Sequence, residues 1–233
     1  MRLDGIVFDL GNTLVPFGER ELARVYDALE AVFRDALGPV PGLREHALGV
    51  RDALVTERET GSMREITVEE FADAVCGGRA PEALAGRLGE AMHRSFVDAC
   101  RVPSALPELL ERLAARHKLA VLSNFCLTPP VEEVLRRAGL SRHFEIVEVS
   151  ATHGYMKPHA SLFRRVLAAL GTAPERTLMV GDNVWADVVG GRRAGMRTAL
   201  TREFCRGPVE DPRAPGVKPD LVLERLDALA ARP

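Results

Sequence analysis

Apolar positions along this chain follow two spacings, and each spacing predicts one kind of element. Short unbroken apolar runs that stop at a turn residue predict buried strands at 6–8, 118–122, 144–149, 177–180, 197–200 and 221–223. Apolar residues three or four apart predict amphipathic helices at 106–116, 131–138, 161–170, 185–194 and from 224 onward. Strands and helices that alternate in this way predict an α/β fold with a doubly wound parallel sheet.

Between the first and second strands the alternation is interrupted. Four helical patterns follow one another at 19–37, 43–55, 67–75 and 81–99, with no strand pattern between them. The third begins at Thr67, which with Glu70 has the form of a capping box. We therefore expect an α-helical cap subdomain at 16–99, inserted into a core domain that comprises 1–15 and 100–233. The proline-rich stretch 203–219 predicts an irregular surface loop.

Composition narrows the possible classes of protein. The 233 residues are 46% hydrophobic and 27% charged, with a formal net charge of −2, so neither nucleic acid nor an anionic membrane is indicated as a partner. No leader and no apolar run of membrane-spanning length is present, which predicts a cytoplasmic location. The four cysteines are scattered and form no metal or redox motif. The sequence does not determine the oligomeric state.

Several predicted strands end at polar residues. Parallel strands point the same way, so their carboxyl ends, and the loops that follow them, meet at one edge of the sheet. The polar residues expected there are Asp9, Ser123, Asn124, Lys157, Asp182 and Asp187. Carboxylates suit a hard cation such as Mg²⁺, whereas an ammonium and small donors suit phosphate oxygens. The pattern thus predicts a site that works on a phosphate by positioning and charge.

These residues lie in four motifs whose order resembles that of the haloacid dehalogenase-like (HAD) hydrolase superfamily. The motifs are 8–14 (FDLGNTL), 121–124 (VLSN), 157–158 (KP) and 180–183 (VGDN) followed by Asp187. The resemblance covers nearly the whole chain. It implies a Rossmann-like HAD core with a helical cap inserted after the first motif.

The resemblance also implies a role for each residue. Asp9 would be the nucleophile that forms an aspartyl-phosphate, and it would bind Mg²⁺ together with Asp182 and the backbone carbonyl of Gly11. Asp187 would hold either Lys157 or a metal-bound water. The groups expected to contact the substrate are Ser123, the backbone of Asn124, Lys157 and the loop residues Gly11, Asn12 and Thr13, of which Thr13 would brace the loop.

One position departs from the pattern. Phosphatases of this superfamily usually carry a second Asp two residues after the nucleophile as general acid and base, and here that residue is Gly11. General acid-base help contributes about 10²–10⁴-fold in rate. Its loss penalises poor leaving groups most, so the expected enzyme is a slow or leaving-group-selective phosphatase.

Three other functions compete with this one, and of these the phosphonate-cleaving enzyme is nearly excluded. A metal-independent 2-haloacid dehalogenase uses the same nucleophile and also lacks the second Asp, but an acid at Asp182 is hard to explain without a cation. A phosphonate-cleaving enzyme needs a lysine in the cap, and no lysine precedes Lys118. The third is a weakly catalytic or non-catalytic relative that binds a phosphorylated ligand. The favoured function is an Mg²⁺-dependent phosphatase whose substrate is a small phosphorylated metabolite. Arg58 or Arg64 could contact a substrate anion, although a solvated turn is also consistent with that stretch.

Overall fold

The computed structural model describes residues 3–231 of the chain. Its centre is a six-stranded sheet of order β3-β2-β1-β4-β5-β6, in which every neighbouring pair is parallel. The strands are β1 (Gly5–Phe8), β2 (Lys118–Ser123), β3 (Phe144–Val149), β4 (Thr177–Gly181), β5 (Arg197–Thr201) and β6 (Leu221–Leu223). The predicted doubly wound α/β class is therefore confirmed, and each predicted strand matches an observed one.

Four helices stand between β1 and the rest of the core, as predicted. They are α1 (Glu19–Leu37), α2 (Leu43–Thr60), α3 (Val68–Val75) and α4 (Leu84–Ala99). The capping box before α3 is formed, since Thr67 Oγ1 accepts from the Glu70 N–H at 3.1 Å and a Glu70 carboxylate oxygen accepts from the Thr67 N–H at 3.0 Å. We call residues 16–99 the helical insert. That they form a separate cap subdomain stays a prediction.

The core helices are α5 (Leu106–Ala114), α6 (Thr128–Arg137), α7 (Ser150–His153), α8 (Ala160–Leu170) and α9 (Gly190–Arg193). The short helix α7, between β3 and the loop that carries Lys157, is an element that the apolar spacing did not predict. The helix expected at 185–194 begins instead as a π-helical turn, Val184–Val189, and only its last residues form α9. The helix expected from 224 is one 3₁₀ turn, Leu226–Leu229, whose first N–H is bonded by the Glu203 carboxylate at 2.7 Å.

Consecutive strand residues point to opposite faces of the sheet, and the residues of both faces are buried. In β1, Ile6 and Phe8 belong to one apolar cluster, whereas Val7 belongs to another that includes Phe163 of α8. The cluster with Ile6 and Phe8 continues without a break into the helical insert, for example to Leu29 of α1. Within residues 3–231, no helix combines the length and the apolar character needed to cross a bilayer.

Candidate active site

The carboxyl ends of the central strands meet at one cavity, between the sheet and the helical insert. Asp9 directly follows β1, Ser123 ends β2, and Asp182 directly follows β4. The cavity has a volume of about 410 Å³. Its lining includes the predicted site residues Asp9, Gly11, Asn12, Ser123, Asn124, Lys157, Asp182 and Asp187. The structure thus brings together the predicted residues, with Thr13 as the exception.

Lys157 joins two of the acids. Its Nζ donates to Asp9 Oδ1 at 2.7 Å, to Asp187 Oδ1 at 2.7 Å and to the carbonyl oxygen of Leu122 at 2.8 Å. Burial alone would lower the pKa of Lys157, but the negative charges of Asp187 and Asp9 outweigh it and raise the pKa above its ordinary value. The ammonium is therefore a fixed positive charge with all three of its N–H donors in use.

The three acids crowd together around that one ammonium. Asp9, Asp182 and Asp187 each offer a carboxylate oxygen within 4.8 Å of the others. Burial, followed by the charges of Asp9 and Asp187, raises the pKa of Asp182 to about 7. Burial also raises the pKa of Asp187 to about 6, although Lys157 opposes the shift. One ammonium does not offset this repulsion, and a cluster of carboxylate oxygens is the donor set that Mg²⁺ prefers, so the residues fit a divalent cation.

Asp187 is held by both of its carboxylate oxygens. Oδ1 accepts from Lys157, and Oδ2 accepts from the Asn183 N–H at 3.1 Å. The carboxylate also lies against Gly181, where an added Cβ would come within 2.0 Å of Oδ2. Of the two roles predicted for Asp187, these contacts favour the one in which it holds Lys157 over the one in which it holds a metal-bound water. They also explain the glycine, because any side chain at 181 would displace the acid.

The loop after Asp9 is tight. The N–H groups of Leu14 and Val15 both donate to the Leu10 carbonyl oxygen, at 2.9 and 3.0 Å. Asn12 has φ +52°, a left-handed conformation that Asn tolerates, and its Oδ1 accepts from the Phe17 N–H at 3.0 Å. Thr13 is fully buried beneath the loop and does not line the cavity. That position does not suit contact with a substrate. The Thr13 hydroxyl has no hydrogen-bond partner among the described residues, so the bracing of the loop stays a prediction.

The wall opposite the sheet contains charged residues that differ from those expected. Arg58 pairs with Glu70 at 3.1 Å, Arg64 is exposed, and neither lines the cavity. Arg51 and Glu65 line it instead, together with Glu59. Which face of α2 and which side of the following loop point inward depends on packing, and the sequence carries no separate signal for these three residues.

The loop between α2 and α3 is joined to the loop that carries Lys157. Arg64 and Tyr155 form an antiparallel bridge, and the Met156 N–H donates to the Met63 carbonyl oxygen at 2.8 Å. Beside this bridge, the carboxylate of Glu65 accepts a hydrogen bond from the Ser150 hydroxyl. Burial, as the largest cause, raises the pKa of Glu65. The insert is thus attached to the core at Met156, one residue before Lys157.

A second connection runs from the insert to the loop before β6. Arg213 forms an ion pair with Glu59 of α2 and another with Asp211 at 2.8 Å. Its guanidinium also lies 4.6 Å from the ring centre of Trp185, whose ring Arg193 approaches at 4.9 Å. Trp185 belongs to the π-helical turn that carries Asp187. The predicted surface loop 203–219 therefore connects the cavity wall with the acid cluster.

The fold is a doubly wound α/β fold, and its candidate active site is built on strand-end aspartates and one buried lysine. The chain belongs to the haloacid dehalogenase-like hydrolases, because the model of that family matches residues 3–195. The resemblance in the four motifs is thereby confirmed at the level of the family.

Relatives of known function carry the names of phosphatases. A phosphoserine phosphatase from Thermus thermophilus is 39% identical over 162 residues, which cover 69% of this chain and 61% of that protein. A glyceraldehyde 3-phosphate phosphatase from Methanopyrus kandleri is 25% identical over 225 residues, which cover 96% of this chain and 94% of that protein.

Solved structures confirm the fold. A HAD hydrolase from Bacillus subtilis, YfnB, whose structure has magnesium bound, superposes with a TM-score of 0.72 at 22% identity and covers 99% of this chain and 98% of that one. A 2-haloacid dehalogenase from Pseudomonas syringae gives a TM-score of 0.69 at 22% identity and covers 98% of this chain and 97% of that one. At this identity the likeness defines the fold alone, so it does not separate a phosphatase from a dehalogenase.

Proposed function

We propose that this chain is an Mg²⁺-dependent phosphatase that hydrolyses a small phosphate ester or anhydride through an aspartyl-phosphate on Asp9. The observation that carries the proposal is the ion cluster in which Lys157 joins Asp9 to Asp187 beside Asp182, at the floor of a cavity. The phosphatase names of the two relatives support the same reaction class.

In the first step a carboxylate oxygen of Asp9 forms a bond to phosphorus while the bond to the leaving oxygen breaks. Lys157 places positive charge beside the nucleophile, which reduces the repulsion between the carboxylate and an incoming phosphate. Asp187 keeps the ammonium in that position. Water then attacks phosphorus, the bond to Asp9 breaks, and inorganic phosphate leaves.

Asp9, Asp182 and the Gly11 backbone carbonyl would hold the magnesium ion, with Asp187 adjacent. Bound there, Mg²⁺ supplies positive charge against the oxygens of the transferring group. Ser123 ends β2, the strand beside β1, and both Ser123 and Asn124 line the cavity. We assign the Ser123 hydroxyl and the backbone of Asn124 to the remaining phosphoryl oxygens. Asn12 contributes to this site by shaping the loop through its bond to the Phe17 N–H.

Phosphate release from a panel of small phosphates, with Mg²⁺ and with a chelator, tests the proposal. Release that requires Mg²⁺ is the expected result. No release from any member, with the cation present and the protein folded, would contradict it.

A 2-haloacid dehalogenase is the second candidate, because Gly11 leaves the site without the phosphatase's second acid. The raised pKa of Asp182 argues against it, since an acid in that position is costly unless a cation is bound. Chloride release from 2-chloropropionate in the presence of chelator, measured beside the phosphate assay, separates the two reactions.

A further inference from the structure

The part of the cavity that is lined by the helical insert is mostly apolar. Its walls come from all four helices of the insert, from the loop between α2 and α3, and from the loops that follow β1 and β2. The apolar side chains that line it include Leu22, Val25, Val55, Val68, Phe71 and Met92. A polyol or sugar placed here would lose hydrogen bonds to water and gain few in return, whereas an apolar group would gain from burial.

Three phenylalanine rings form a row along one side of this cavity. The ring centres of Phe17 and Phe96 are 4.9 Å apart, and those of Phe96 and Phe125 are 4.3 Å apart. All three side chains line the cavity, and Phe125 lies two residues beyond Ser123. Rings at these distances favour a further planar ring beside them. The row therefore offers an aromatic surface close to the place where a leaving group must sit.

The charges on these walls do not suit a second anionic group. Arg51 is the cation there, and it is paired with Asp52 at 2.9 Å. The acids Glu59 and Glu65 face the same space. A carboxylate or second phosphate on the substrate would meet the acid Glu65 and a cation that already has a partner, because Glu59 is itself paired with Arg213. The phosphoryl group is therefore the one anion that the cavity accommodates well.

Apart from Asp182 and Asp187, which the proposed function assigns to the metal ion and to Lys157, the described residues that line the cavity offer no suitable proton donor for the leaving oxygen. Gly11 has no side chain, and both carboxylate oxygens of Glu65 are engaged, by the Ser150 hydroxyl and by the Ile66 N–H. Burial raises the pKa values of Tyr26 and Cys126 to about 12, too high for efficient proton transfer near neutral pH. A leaving group that departs as a stable anion needs no such donor.

We infer that the substrate is an aryl phosphate, a monoester in which a planar apolar ring carries the phosphate on a phenol-like oxygen. The inference rests on the proposed phosphatase function. Asp9 forms the bond to phosphorus, the bond between phosphorus and the aryl oxygen breaks, and the aryloxide leaves with the electron pair. It takes its proton from water afterwards. The ring then lies beside Phe17, Phe96 and Phe125.

Four phosphates separate the two parts of this inference when assayed with Mg²⁺. Phenyl phosphate has a ring and a good leaving group, benzyl phosphate has a ring and a poor one, and glycerol 3-phosphate and phosphoglycolate have neither. We expect kcat/KM to be highest for phenyl phosphate, by about 100-fold over glycerol 3-phosphate, because no general acid assists the alkyl esters. Benzyl phosphate should have a KM below that of glycerol 3-phosphate. Higher kcat/KM for either ring-free compound overturns the inference but leaves the phosphatase assignment intact, whereas no release from any compound overturns both.

Phe17→Leu tests the aromatic row, and Phe144→Leu is its matched control. Both phenylalanines are half-buried, but Phe144 starts β3 and does not line the cavity. Phe17→Leu should raise KM for phenyl phosphate by about 2- to 10-fold. Phe144→Leu should leave the KM for phenyl phosphate unchanged. Equal KM values for the two variants would overturn the ring contact.

Gly11→Asp tests the missing acid. A Cβ at Gly11 would lie 3.5 Å from the Phe17 Cβ, an ordinary contact distance, and Gly11 does not have a left-handed backbone, so a side chain fits. Gly11→Asp should raise kcat for benzyl phosphate by about 10-fold or more, and it should change kcat for phenyl phosphate far less. Gly11→Asn, of the same size but without a titratable proton, should give no such gain. An equal gain for both esters in Gly11→Asp would contradict the leaving-group argument.

Discussion

Asn124 binds both backbone polar groups of Lys157. Its Oδ1 accepts from the Lys157 N–H at 2.7 Å, and its Nδ2 donates to the Lys157 carbonyl oxygen at 3.1 Å. The loop after β2 thereby fixes the backbone from which the Lys157 ammonium extends. Since the Lys157 ammonium in turn donates to Asp9, Asn124 would be a positioning residue for the proposed nucleophile, in addition to any contact with phosphate.

Asn124→Ala removes both hydrogen bonds, so we expect the free energy of unfolding to fall by about 1–3 kcal/mol. We also expect kcat to fall more than KM rises, because the position of Lys157 matters most in the transition state. Denaturant unfolding and steady-state kinetics measure the two effects. A variant with the wild-type kcat would show that Lys157 keeps its position without the two hydrogen bonds from Asn124.

Asp9→Asn should abolish turnover and leave the fold intact. The amide is no nucleophile, but its Oδ1 can still accept from Lys157, and one of the crowded negative charges is gone. Thermal unfolding should therefore show a melting temperature equal to or above that of the wild type. Asp4→Asn is the control, because Asp4 pairs with Arg176 outside the cavity. Measurable turnover by Asp9→Asn would refute the nucleophile assignment.

The metal-free protein should lose stability as pH rises from 5 to 8. The folded-state pKa values of Asp182 and Asp187 are raised to about 7 and about 6. A carboxyl whose pKa is raised on folding contributes stability at low pH, and this contribution is lost as pH rises through the folded-state pKa.

Magnesium should restore this stability, and the rise in melting temperature on adding Mg²⁺ should grow between pH 5 and 8. Thermal scans in chelator and in excess Mg²⁺ measure the difference. A magnesium effect of the same size at every pH would contradict the prediction.

Arg213→Ala should loosen the contact between the insert and the core. The side chain pairs with Glu59 and covers Trp185, which is the sole tryptophan of the chain, so its fluorescence reports the change without interference. We expect red-shifted emission and faster amide exchange at the end of α2. Arg206→Ala is the matched control on the same loop, because Arg206 is mostly exposed and pairs with Glu224 at 3.5 Å. Identical spectra for the two variants would exclude the connection.

The sequence by itself determined the sheet and the floor of the site. Short apolar runs predict buried strands. Because parallel strands bring their carboxyl ends to one edge of the sheet, the sequence alone predicts that Asp9, Ser123 and Asp182 lie close together. The helical insert was predicted because four successive segments each have apolar residues three or four positions apart, with no strand pattern between them. Both inferences use only local patterns and one general rule of chain geometry.

Tertiary structure alone decided the walls of the cavity. Glu59 and Arg213 are 154 residues apart, and no local pattern links them. Whether Arg51 or Arg58 faces the cavity depends on how α2 is rotated against its neighbours. Such features arise from packing between distant segments, and the sequence pattern of either segment does not encode them.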